Sequence, residues 1–308
     1  MVEHIPVLAD EAIEALALEP GGYYVDATFG RGGHTALLLQ ALGREGRVLA
    51  IDRDPEAIAA GGRRFAGEVR LALVHASFAD VASIVPVYSG GRACQGVLFD
   101  LGVSSPQLDD PARGFSFRAD GPLDMRMDTT RGEPVSAWLA RASVDEIREV
   151  IATLGEERFA RRVAQAIVAA RRERPLERTR DLADLVARAV RTREPGKHPA
   201  TRTFQALRMH VNDELGQLER ALGGAVDSLA GGGRLAVISF HSLEDRLVKR
   251  FMQRESQPDP ALATLPVVPP QLAPRLKLIG RKRRPAKEEV ARNPRARSAL
   301  LRVAEKVA

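Results

Sequence analysis

Glycine and carboxylate residues occur at a spacing that suits a nucleoside-containing ligand. Gly30, Gly32 and Gly33 lie in a short loop between an apolar run and a helical pattern. Glycine lets a backbone approach a ligand closely, and a helix that begins at such a loop presents N–H groups without helical partners. Asp52 follows 22 positions after Gly30, at the end of the next apolar run. A carboxylate there can accept hydrogen bonds from two ribose hydroxyls, so the two signals predict a site for an adenosine-containing cofactor.

The spacing of the glycines bears on which cofactor binds. Gly30 and Gly32 fit the dinucleotide pattern G-x-G-x-x-G, but Thr35 stands where the third glycine belongs. The phosphate-binding pattern that ends in Gly-Lys-Ser/Thr is absent from the sequence. S-adenosylmethionine has no pyrophosphate and therefore suits the loop better. Two alternatives stay open from these residues alone: a nicotinamide-dependent oxidoreductase that uses the same loop and Asp52, and an ordinary strand-to-helix turn without a ligand.

Three further segments place aromatic or polar side chains directly after apolar runs. Phe78 could pack on an adenine, or it could belong to the core. Asp100 is followed by Ser104 and Ser105, and a carboxylate at the end of a buried strand needs partners because burying a charge is costly. His241 follows the last long apolar run, where it could accept a proton or serve only a structural purpose.

The elements that must position these residues alternate between strands and helices. Strands are expected at 23–26, 47–52, 69–75, 96–100 and 234–240, and helices at 34–42 and 55–65. The strands are continuous apolar runs, as in a parallel sheet that is covered on both faces. Strand and helix in alternation predict an open α/β sheet with right-handed crossovers. Ligands bind at the carboxyl ends of the strands in such a sheet, which is where the candidate residues lie.

The middle of the chain lacks this alternation. A loop-like stretch at 105–132 precedes amphipathic helical patterns, which are expected at 144–154, 156–172 and 180–193. The sequence therefore predicts three parts: an α/β core at 1–107, a helical insertion at 108–200, and the rest of the core at 201–308. The last part is expected to contain a helical stretch at 203–229, a glycine turn at 231–233, and a final hairpin of 276–279 with 299–304.

Composition and charge narrow the class of protein. The chain has 308 residues, of which 44% are hydrophobic and 28% charged, so a collagen-like or wholly disordered chain is excluded. One cysteine, Cys94, rules out an intrachain disulfide and a four-thiolate zinc site, and no His/Cys ligand cluster suggests another metal. The first residues show no signal-peptide pattern, and no apolar run is long enough to span a bilayer. We expect a soluble, cytoplasmic protein without membrane contact.

Positive charge is concentrated near the C-terminus. The net charge is +6, but the segment from Arg275 to Lys306 alone holds twelve basic and three acidic residues. The rest of the chain is slightly acidic. A local excess of this kind predicts a surface for a polyanion such as nucleic acid, although a solvated basic tail would have the same composition.

Eight motifs in chain order resemble one family. They are HIPVL (4–8), DATFGRGGH (26–34), AIDRD (50–54), DLGVSS (100–105), GPLDMRM (121–127), VNDEL (211–215), SFHSLEDR (239–246) and NPR (293–295). Together they are similar to the bacterial small-subunit ribosomal RNA (cytosine-N4)-methyltransferases, the MraW or RsmH family. The matches extend over nearly the whole chain.

The resemblance implies a fold, a cofactor and a set of residues. The fold would be an α/β, class I (Rossmann-like) methyltransferase sheet with an inserted helical domain, and the cofactor would be S-adenosylmethionine. The residues implied to bind the cofactor are Gly32, Gly33, His34, Asp52, Phe78, Asp100 and Gln107. The substrate would be a cytidine in the decoding region of 16S rRNA, within the small ribosomal subunit. A homodimer is left open.

Methyl transfer to the cytidine N4 amine needs alignment and a proton acceptor. The lone pair of this amine is delocalised into the ring, so a group that accepts its N–H bonds assists the reaction. The catalytic candidates are Asp100, Ser104 and Ser105, followed by His241 and Asn212. The candidates for RNA contact are Asn212, Arg126, Arg281, Lys282, Arg283 and Arg284, the last four at the expected tip of the final hairpin. A protein that binds RNA without catalysis remains an alternative.

Overall fold

The structure, a computed structural model, describes residues 6–190, 196, 198–258 and 273–308. The motif residues His4 and Ile5 and the last part of the helix expected at 180–193 lie outside the described residues. The chain divides into two compact units. The sheet unit consists of Met1–Gly102 and Leu215–Ala308, and the helical unit consists of Val103–Glu214.

The described part of the sheet unit contains a seven-stranded sheet in the order β3-β2-β1-β4-β5-β7-β6. Its strands are β1 (Tyr23–Asp26), β2 (Arg47–Asp52), β3 (Leu71–His75), β4 (Cys94–Asp100), β5 (Leu229–Ser239), β6 (Leu276–Leu278) and β7 (Leu300–Lys306). Strands β1 to β5 run parallel to one another, and β7 lies antiparallel between β5 and β6. The predicted α/β fold class, an open and mostly parallel sheet of Rossmann-like type, is confirmed.

The helices of the described residues are numbered in chain order. They are α1 (Ala9–Leu16), α2 (Gly33–Ala41), α3 (Pro55–Arg64), α4 (Val81–Ser89), α5 (Ser105–Asp109), α6 (Val135–Arg141), α7 (Val144–Gly155), α8 (Ala160–Glu173), α9 (Thr179–Ala189), α10 (Thr201–Val211), α11 (Glu214–Ser228), α12 (Ser242–Glu255) and α13 (Lys287–Arg292). Among them, none is long and apolar enough to cross a membrane.

The central strands are apolar throughout because helices cover both faces of the sheet. Along β1, Val25 packs in one cluster with residues of α4, α11 and α12, while Tyr24 packs in another with residues of α1 and α2. Successive side chains of a strand point to opposite faces, so each strand contributes to both clusters. All four residues of β1 are buried. The carboxylate of Asp26, which ends β1, is therefore inside the protein.

The helical unit has a core of its own. Ile147 and Ile151 of α7 pack with Val163 of α8 and Leu207 of α10 in one cluster. The α7–α10 contact is close because Gly155 ends α7: a Cβ at this position would lie 2.7 Å from the Arg202 carbonyl oxygen. This packing includes α10 in the helical unit, whose bounds are Val103 and Glu214, whereas the sequence placed them at 108 and 200.

Two expectations for the second part of the core need correction. The helical stretch expected at 203–229 is broken, because Asp213 has a φ of 46° that an α-helix does not accommodate. The glycine turn expected at 231–233 belongs to β5 instead, at a register shift opposite Cys94 and Gly96. Gly233 is required there since its Cβ would lie 3.0 Å from the Cys94 carbonyl oxygen.

The final hairpin forms as expected, but the basic segment 281–284 is not at its tip. Arg283 pairs with Leu301 of β7, with hydrogen bonds in both directions of 2.9 and 3.0 Å. The segment thus continues the β6 arm of the hairpin alongside β7. The tip is formed by later residues, including α13. The stretch expected as loop at 105–132 also contains a helix, α5.

Candidate functional site

Three carboxylates end neighbouring strands of the sheet unit. Asp26 ends β1, Asp52 ends β2 and Asp100 ends β4, and β1 lies between the other two strands. The chain order reverses at β1 and β4, so these residues stand at the topological switch point of the sheet, where ligands bind in open α/β folds. The sequence singled out Asp52 and Asp100, and the structure adds Asp26, whose place at a strand end was visible in the sequence.

The glycine loop between β1 and α2 needs glycine for conformational and steric reasons. Gly30 and Gly32 have φ of 55° and 71°, in the left-handed region. A Cβ at Gly32 would lie 2.7 Å from ring atoms of Phe29 and of Phe65. Gly32 is the N-cap of α2 and provides no side-chain cap. The first turn of α2 is therefore built to receive an acceptor group from elsewhere.

Asp52 is tied to the glycine loop. Its Oδ2 accepts a hydrogen bond from the Gly30 N–H at 2.7 Å, and its Oδ1 accepts one from the Asp54 N–H at 2.8 Å. Each carboxylate oxygen retains a further lone pair. Burial raises the pKa of Asp52 to about 6. The geometry suits a diol, whose two hydroxyls can donate one hydrogen bond to each oxygen.

Asp100 has an oxygen without a hydrogen-bond partner among the described residues. This atom, Oδ1, is buried, while Oδ2 lies 3.6 Å from Nδ1 of His34. Burial, with a smaller effect from Asp26 and then Glu244, raises the pKa of Asp100 well above its ordinary value. An unsatisfied buried carboxylate oxygen is costly unless a ligand or a proton reaches it. Asp100 is thus suited to receive a cationic or N–H-bearing ligand.

His34 joins Asp100 to the N-terminal segment. Its Nε2 lies 3.1 Å from the Val7 carbonyl oxygen. Because a carbonyl oxygen only accepts, Nε2 carries the hydrogen of this bond, which leaves Nδ1 to face Asp100. The ring is 4% exposed, so it cannot reorient freely. His34 therefore fixes the direction from which Asp100 is approached.

Asp26 and Thr28 form hydrogen bonds around the glycine loop and the end of β4. Asp26 accepts hydrogen bonds from the Thr35 hydroxyl at 2.6 Å and from the Thr28 N–H at 3.3 Å. Thr28 Oγ1 in turn accepts the N–H of Asp100 at 2.6 Å. Burial raises the pKa of Asp26, while His34 opposes the shift. These contacts join the end of β4 to the glycine loop.

Phe78 lies after β3, in a short 3-10 turn. Its ring packs edge-to-face on that of Phe99, with 5.8 Å between the centroids, and it is only partly buried. The ring therefore contributes to the core and also reaches the surface near the strand end. A contact with adenine stays a prediction.

His241 has a structural task at the start of α12. It is the N-cap residue, and its Nδ1 accepts the Glu244 N–H at 3.4 Å. Its Nε2 lies 3.1 Å from Glu244 Oε1, and Glu244 Oε2 accepts the Phe240 N–H at 2.8 Å. This arrangement favours the structural interpretation of His241. A role as proton acceptor stays a prediction.

The candidates Ser104, Ser105 and Gln107 belong to the helical unit. Ser104 is the N-cap of α5 and Gln107 its third residue, and together they form a capping box. Oε1 of Gln107 accepts the Ser104 N–H at 2.9 Å. Gln107 is buried, so its visible role is to define the start of α5.

Asn212 was expected to contact RNA, and this contact stays a prediction; the structure shows its side chain buried and hydrogen-bonded within the helical unit. The side chain is 1% exposed. Its Oδ1 accepts the Met127 N–H at 2.8 Å, and its Nδ2 donates to the Met125 and Arg208 carbonyl oxygens at 2.7 and 2.8 Å. Met125 has a φ of 65°, a strained conformation for this side chain. Asn212 therefore holds a strained loop in place.

The side chain of Arg126 also forms hydrogen bonds within this loop. Its guanidinium forms two hydrogen bonds of 2.8 Å with Asp124 and a third, of 3.1 Å, with the Thr129 carbonyl oxygen. The Asp124 carboxylate raises the pKa of Arg126 further. The contact with RNA predicted for Arg126 would require it to share these partners.

The basic segment 281–284 is not uniform. Arg283 forms an ion pair of 2.5 Å with Glu14 of α1, which lowers the pKa of that glutamate. Arg281, Lys282 and Arg284 are exposed, and no hydrogen bond or ion pair joins them to another described residue. Contact with RNA stays a prediction for these three, while Arg283 has an intramolecular partner.

Comparison with known proteins gives a family and several similar chains. The model of a family described as the MraW methylase family matches residues 1–307. The ribosomal RNA small subunit methyltransferase H of Azoarcus sp. (strain BH72) is 56% identical over 306 residues, which cover 99% of this chain and 97% of that protein. The protein of the same name from Chromohalobacter salexigens is 56% identical and covers 99% of this chain and 92% of its own.

Solved structures resemble the chain more distantly. A putative rRNA methylase from Clostridium thermocellum matches 99% of this chain and 100% of its own, with a TM-score of 0.47 and 13% identity. A putative methyltransferase from Streptococcus mutans, SMU.1697c in complex with SAH, covers 99% of this chain, with a TM-score of 0.45 and 11% identity.

Proposed function

Because the chain belongs to the MraW methylase family, we propose that it methylates N4 of a cytidine in the decoding region of 16S rRNA. It is an S-adenosylmethionine-dependent methyltransferase that acts on ribosomal RNA of the small subunit. The nucleotide and its position are the finer part of the proposal. We place the reaction in the cytoplasm, on the RNA within the small ribosomal subunit.

The observation that carries the proposal is the set of carboxylates around the glycine loop. Asp26, Asp52 and Asp100 end adjacent strands there, and Oδ1 of Asp100 has no partner among the described residues. When ionised, carboxylates at this density repel the pyrophosphate of a dinucleotide and attract a cationic cofactor. S-adenosylmethionine carries a sulfonium and an ammonium group. The carboxylates therefore favour S-adenosylmethionine over a nicotinamide cofactor.

Each of the residues around the loop has a task in this proposal. Asp52 would accept the ribose hydroxyls, since one lone pair on each oxygen remains available. Gly32, Gly33 and His34 would hold the amino-acid end of the cofactor at the start of α2. Asp100 would receive its ammonium group, because its buried Oδ1 needs a donor. By the resemblance stated above, Phe78 would contribute to this pocket, and Gln107 of the helical unit is a further candidate for contact with the cofactor.

When bound, the cofactor supplies an activated methyl group, and the chain must align the amine with it. Alignment of two reactants can contribute about 7–11 kcal/mol to lowering a barrier. The raised pKa of Asp100, caused by burial, makes its carboxylate a stronger base than an exposed one. Asp100 is therefore the first candidate to accept an amine N–H and then its proton. Ser104, Ser105 and His241 are the other candidates.

The target base must leave its stack to reach this edge of the sheet. Enzymes that modify a base extrude it from paired or stacked nucleic acid. The helical unit and the basic segment 281–284 are the proposed sites of contact with the surrounding RNA. A homodimer is compatible with this proposal and is not required by it.

The test is methyl transfer from labelled S-adenosylmethionine to small subunits isolated from cells that lack the gene. We expect label on one cytidine, identified by mass spectrometry of the digested RNA. Label on another nucleotide would refute the proposed position, and absence of label would favour the alternative of a pure RNA-binding protein. Titration with a nicotinamide dinucleotide in parallel should show no binding.

A further inference from the structure

A small cavity lies in the sheet unit between α12 and the β6–β7 hairpin. Its volume is about 60 Å³, enough for a group of a few heavy atoms. Lys249 and Met252 of α12 line one side, and Arg281, Lys282 and Arg302 line the other. Lys249 is more than thirty positions away from the other cations in sequence, so only the fold brings this set together.

A bulge in the hairpin forms the rim of the cavity. The Ile279 N–H donates to the Val303 carbonyl oxygen at 3.0 Å, and Arg283 pairs with Leu301. The β6 arm therefore has more residues than β7 between these two pairings, and Gly280, with a φ of 64°, starts the extra length. The bulge projects Arg281 and Lys282 out of the β ladder.

The cations around the cavity are only partly neutralised. Arg302 forms a bidentate ion pair with Asp245, at 2.7 and 3.1 Å. Lys249 and Lys282 also lower the pKa of Asp245, which shows that their charges lie near this carboxylate. No hydrogen bond or ion pair joins Lys249, Arg281 or Lys282 to another described residue. Arg302, Lys249 and Lys282 thus lie near one carboxylate, and Arg281 adds a fourth cation to the cavity lining.

The neighbouring Arg283 shows the opposite arrangement. Its guanidinium is paired with Glu14, although it lies in the same basic run as Arg281 and Lys282. The fold therefore separates one arginine that stabilises the sheet unit from two cations that are directed to a cavity. Charge composition alone does not distinguish them.

We propose that this cavity binds a phosphate of the RNA backbone during methylation. Lys249, Arg281 and Lys282 supply the charge, and Arg302 is held at the cavity wall by Asp245. A phosphate group matches the volume, and half-exposed Leu278 beside it offers an apolar contact for the adjoining ribose. The identification of the ligand as ribosomal RNA rests on the proposed function.

The phosphate in this cavity belongs to a nucleotide away from the target base. Lys249 lies two turns into α12, about 10 Å along the helix from its start at the carboxyl edge of the sheet. The strand order places β6 three positions from β4, roughly 14 Å across the sheet. The cavity therefore orients the RNA and does not take part in the chemistry.

The experiment compares two triple variants with the same loss of charge. The cavity variant carries Lys249→Gln, Arg281→Gln and Lys282→Gln. The control variant carries Arg44→Gln, Arg63→Gln and Arg92→Gln, three exposed arginines that precede β2, β3 and β4 at the opposite edge of the sheet. Binding of a single-stranded oligoribonucleotide from the substrate region is measured at several salt concentrations, beside methyl transfer to small subunits.

For the cavity variant we expect the slope of log K against log salt to fall in magnitude by about 1, since the cavity contacts one phosphate and each lost phosphate contact reduces the slope by about 0.7–1. Its kcat/KM for small subunits should fall at least tenfold, while kcat and the Kd for S-adenosylmethionine stay unchanged. The control variant should change the slope by less than half as much as the cavity variant does. Equal slopes for the two variants would refute the phosphate site.

The two proposals fail in different ways. If the wild-type protein binds the oligoribonucleotide but methylates no small-subunit cytidine, the proposed function is wrong while the cavity is still tested by binding. If the wild-type protein methylates the cytidine and both triple variants behave alike, only the phosphate site is wrong. An acidic peptide that competes equally with the oligoribonucleotide at this cavity would also overturn it.

Discussion

The backbone N–H of Gly30 donates a hydrogen bond to Oδ2 of Asp52 at 2.7 Å, across the ends of two adjacent strands. Asp52 thus holds the glycine loop in shape, in addition to the role in cofactor binding that we propose for it. Two signals that looked independent in the sequence, a glycine loop and a distant carboxylate, are parts of one structure. Loss of the carboxylate is expected to affect both functions.

Replacement of Asp52 should weaken the binding of S-adenosylmethionine. Asp52→Asn keeps one acceptor oxygen but removes the charge, and Asp52→Ala removes both. Since a hydrogen bond to a charged group contributes about 1.5–3 kcal/mol, we expect Kd to rise about 10–100-fold for Asn and further for Ala. Calorimetric titration measures this. Asp10→Asn, at an exposed position of α1, is the control and should leave Kd unchanged.

The same carboxylate predicts a pH dependence of cofactor binding. Burial raises the pKa of Asp52 to about 6, and the ionised form is the better acceptor for two hydroxyls. Affinity should therefore fall as the pH is lowered through about 6, by up to tenfold per unit. The Asp52→Asn variant should lack this pH dependence of cofactor affinity. A wild-type Kd that is constant from pH 8 to pH 5 would exclude the assignment.

Ionisation of Asp52 also changes the free energy of unfolding. The effect has the opposite sign to that of an aspartate whose pKa is lowered by folding. The folded-state pKa is raised, so the folded protein binds this proton more tightly than the unfolded chain does. The contribution of Asp52 to the free energy of unfolding should therefore decrease as the pH rises from about 4 to about 6, and stay constant above. Denaturant titration of wild type and Asp52→Asn at several pH values isolates this difference.

Two glycine substitutions should change stability in opposite directions. Gly32→Ala places a Cβ 2.7 Å from two aromatic rings at a φ of 71°, and we expect a loss of about 1–3 kcal/mol together with weaker cofactor binding. Gly62→Ala in α3 meets no atom within 4 Å, and we expect a gain of about 0.4–1 kcal/mol. Chemical denaturation measures both. A loss from Gly62→Ala would contradict the geometry of α3.

Asn212→Ala should destabilise the helical unit. The variant leaves the Met127 N–H and the Met125 carbonyl oxygen without their partner in a buried place. We expect a loss of about 2–4 kcal/mol and faster proteolysis of the loop at 124–128. Gln165→Ala, on an exposed face of α8, should stay within about 0.5 kcal/mol of wild type. Normal stability of Asn212→Ala would show that another group replaces the amide.

The parallel strands were accessible from the sequence because their apolar runs are continuous and end in polar residues. The ends of β1, β2 and β4 were placed correctly at Asp26, Asp52 and Asp100. This followed from the physics of a sheet covered on both faces, where a carboxylate marks the point at which a strand leaves the core. The positions of these carboxylates at the strand ends of the sheet unit were therefore predictable from the sequence.

Contacts between distant segments were not accessible in the same way. The hydrogen bonds of Asn212 are one example, because no local pattern reveals that its amide fits the backbone of Met125 and Met127. Likewise, the ion pair of Arg283 with Glu14 joins opposite ends of the chain. Periodicity also failed to show the break at Asp213, because one left-handed residue does not disturb an amphipathic pattern.

The parallel pairing of β4 with β5 has a consequence for how the chain is made. Asp100 pairs with Ile238 although the whole helical unit lies between them in sequence. During synthesis, β1 to β4 leave the ribosome before β5. Until β5 has been made, the edge of β4 that pairs with it stays unpaired. An unpaired strand edge can pair with another chain and so promote aggregation. The long segment between β4 and β5 slows the pairing of these two strands unless the helical unit has folded first. The helical unit is built from local helix pairs and should fold rapidly, which shortens the time for which the edge of β4 is unpaired. Chains truncated before Leu229 lack β5 and should therefore aggregate.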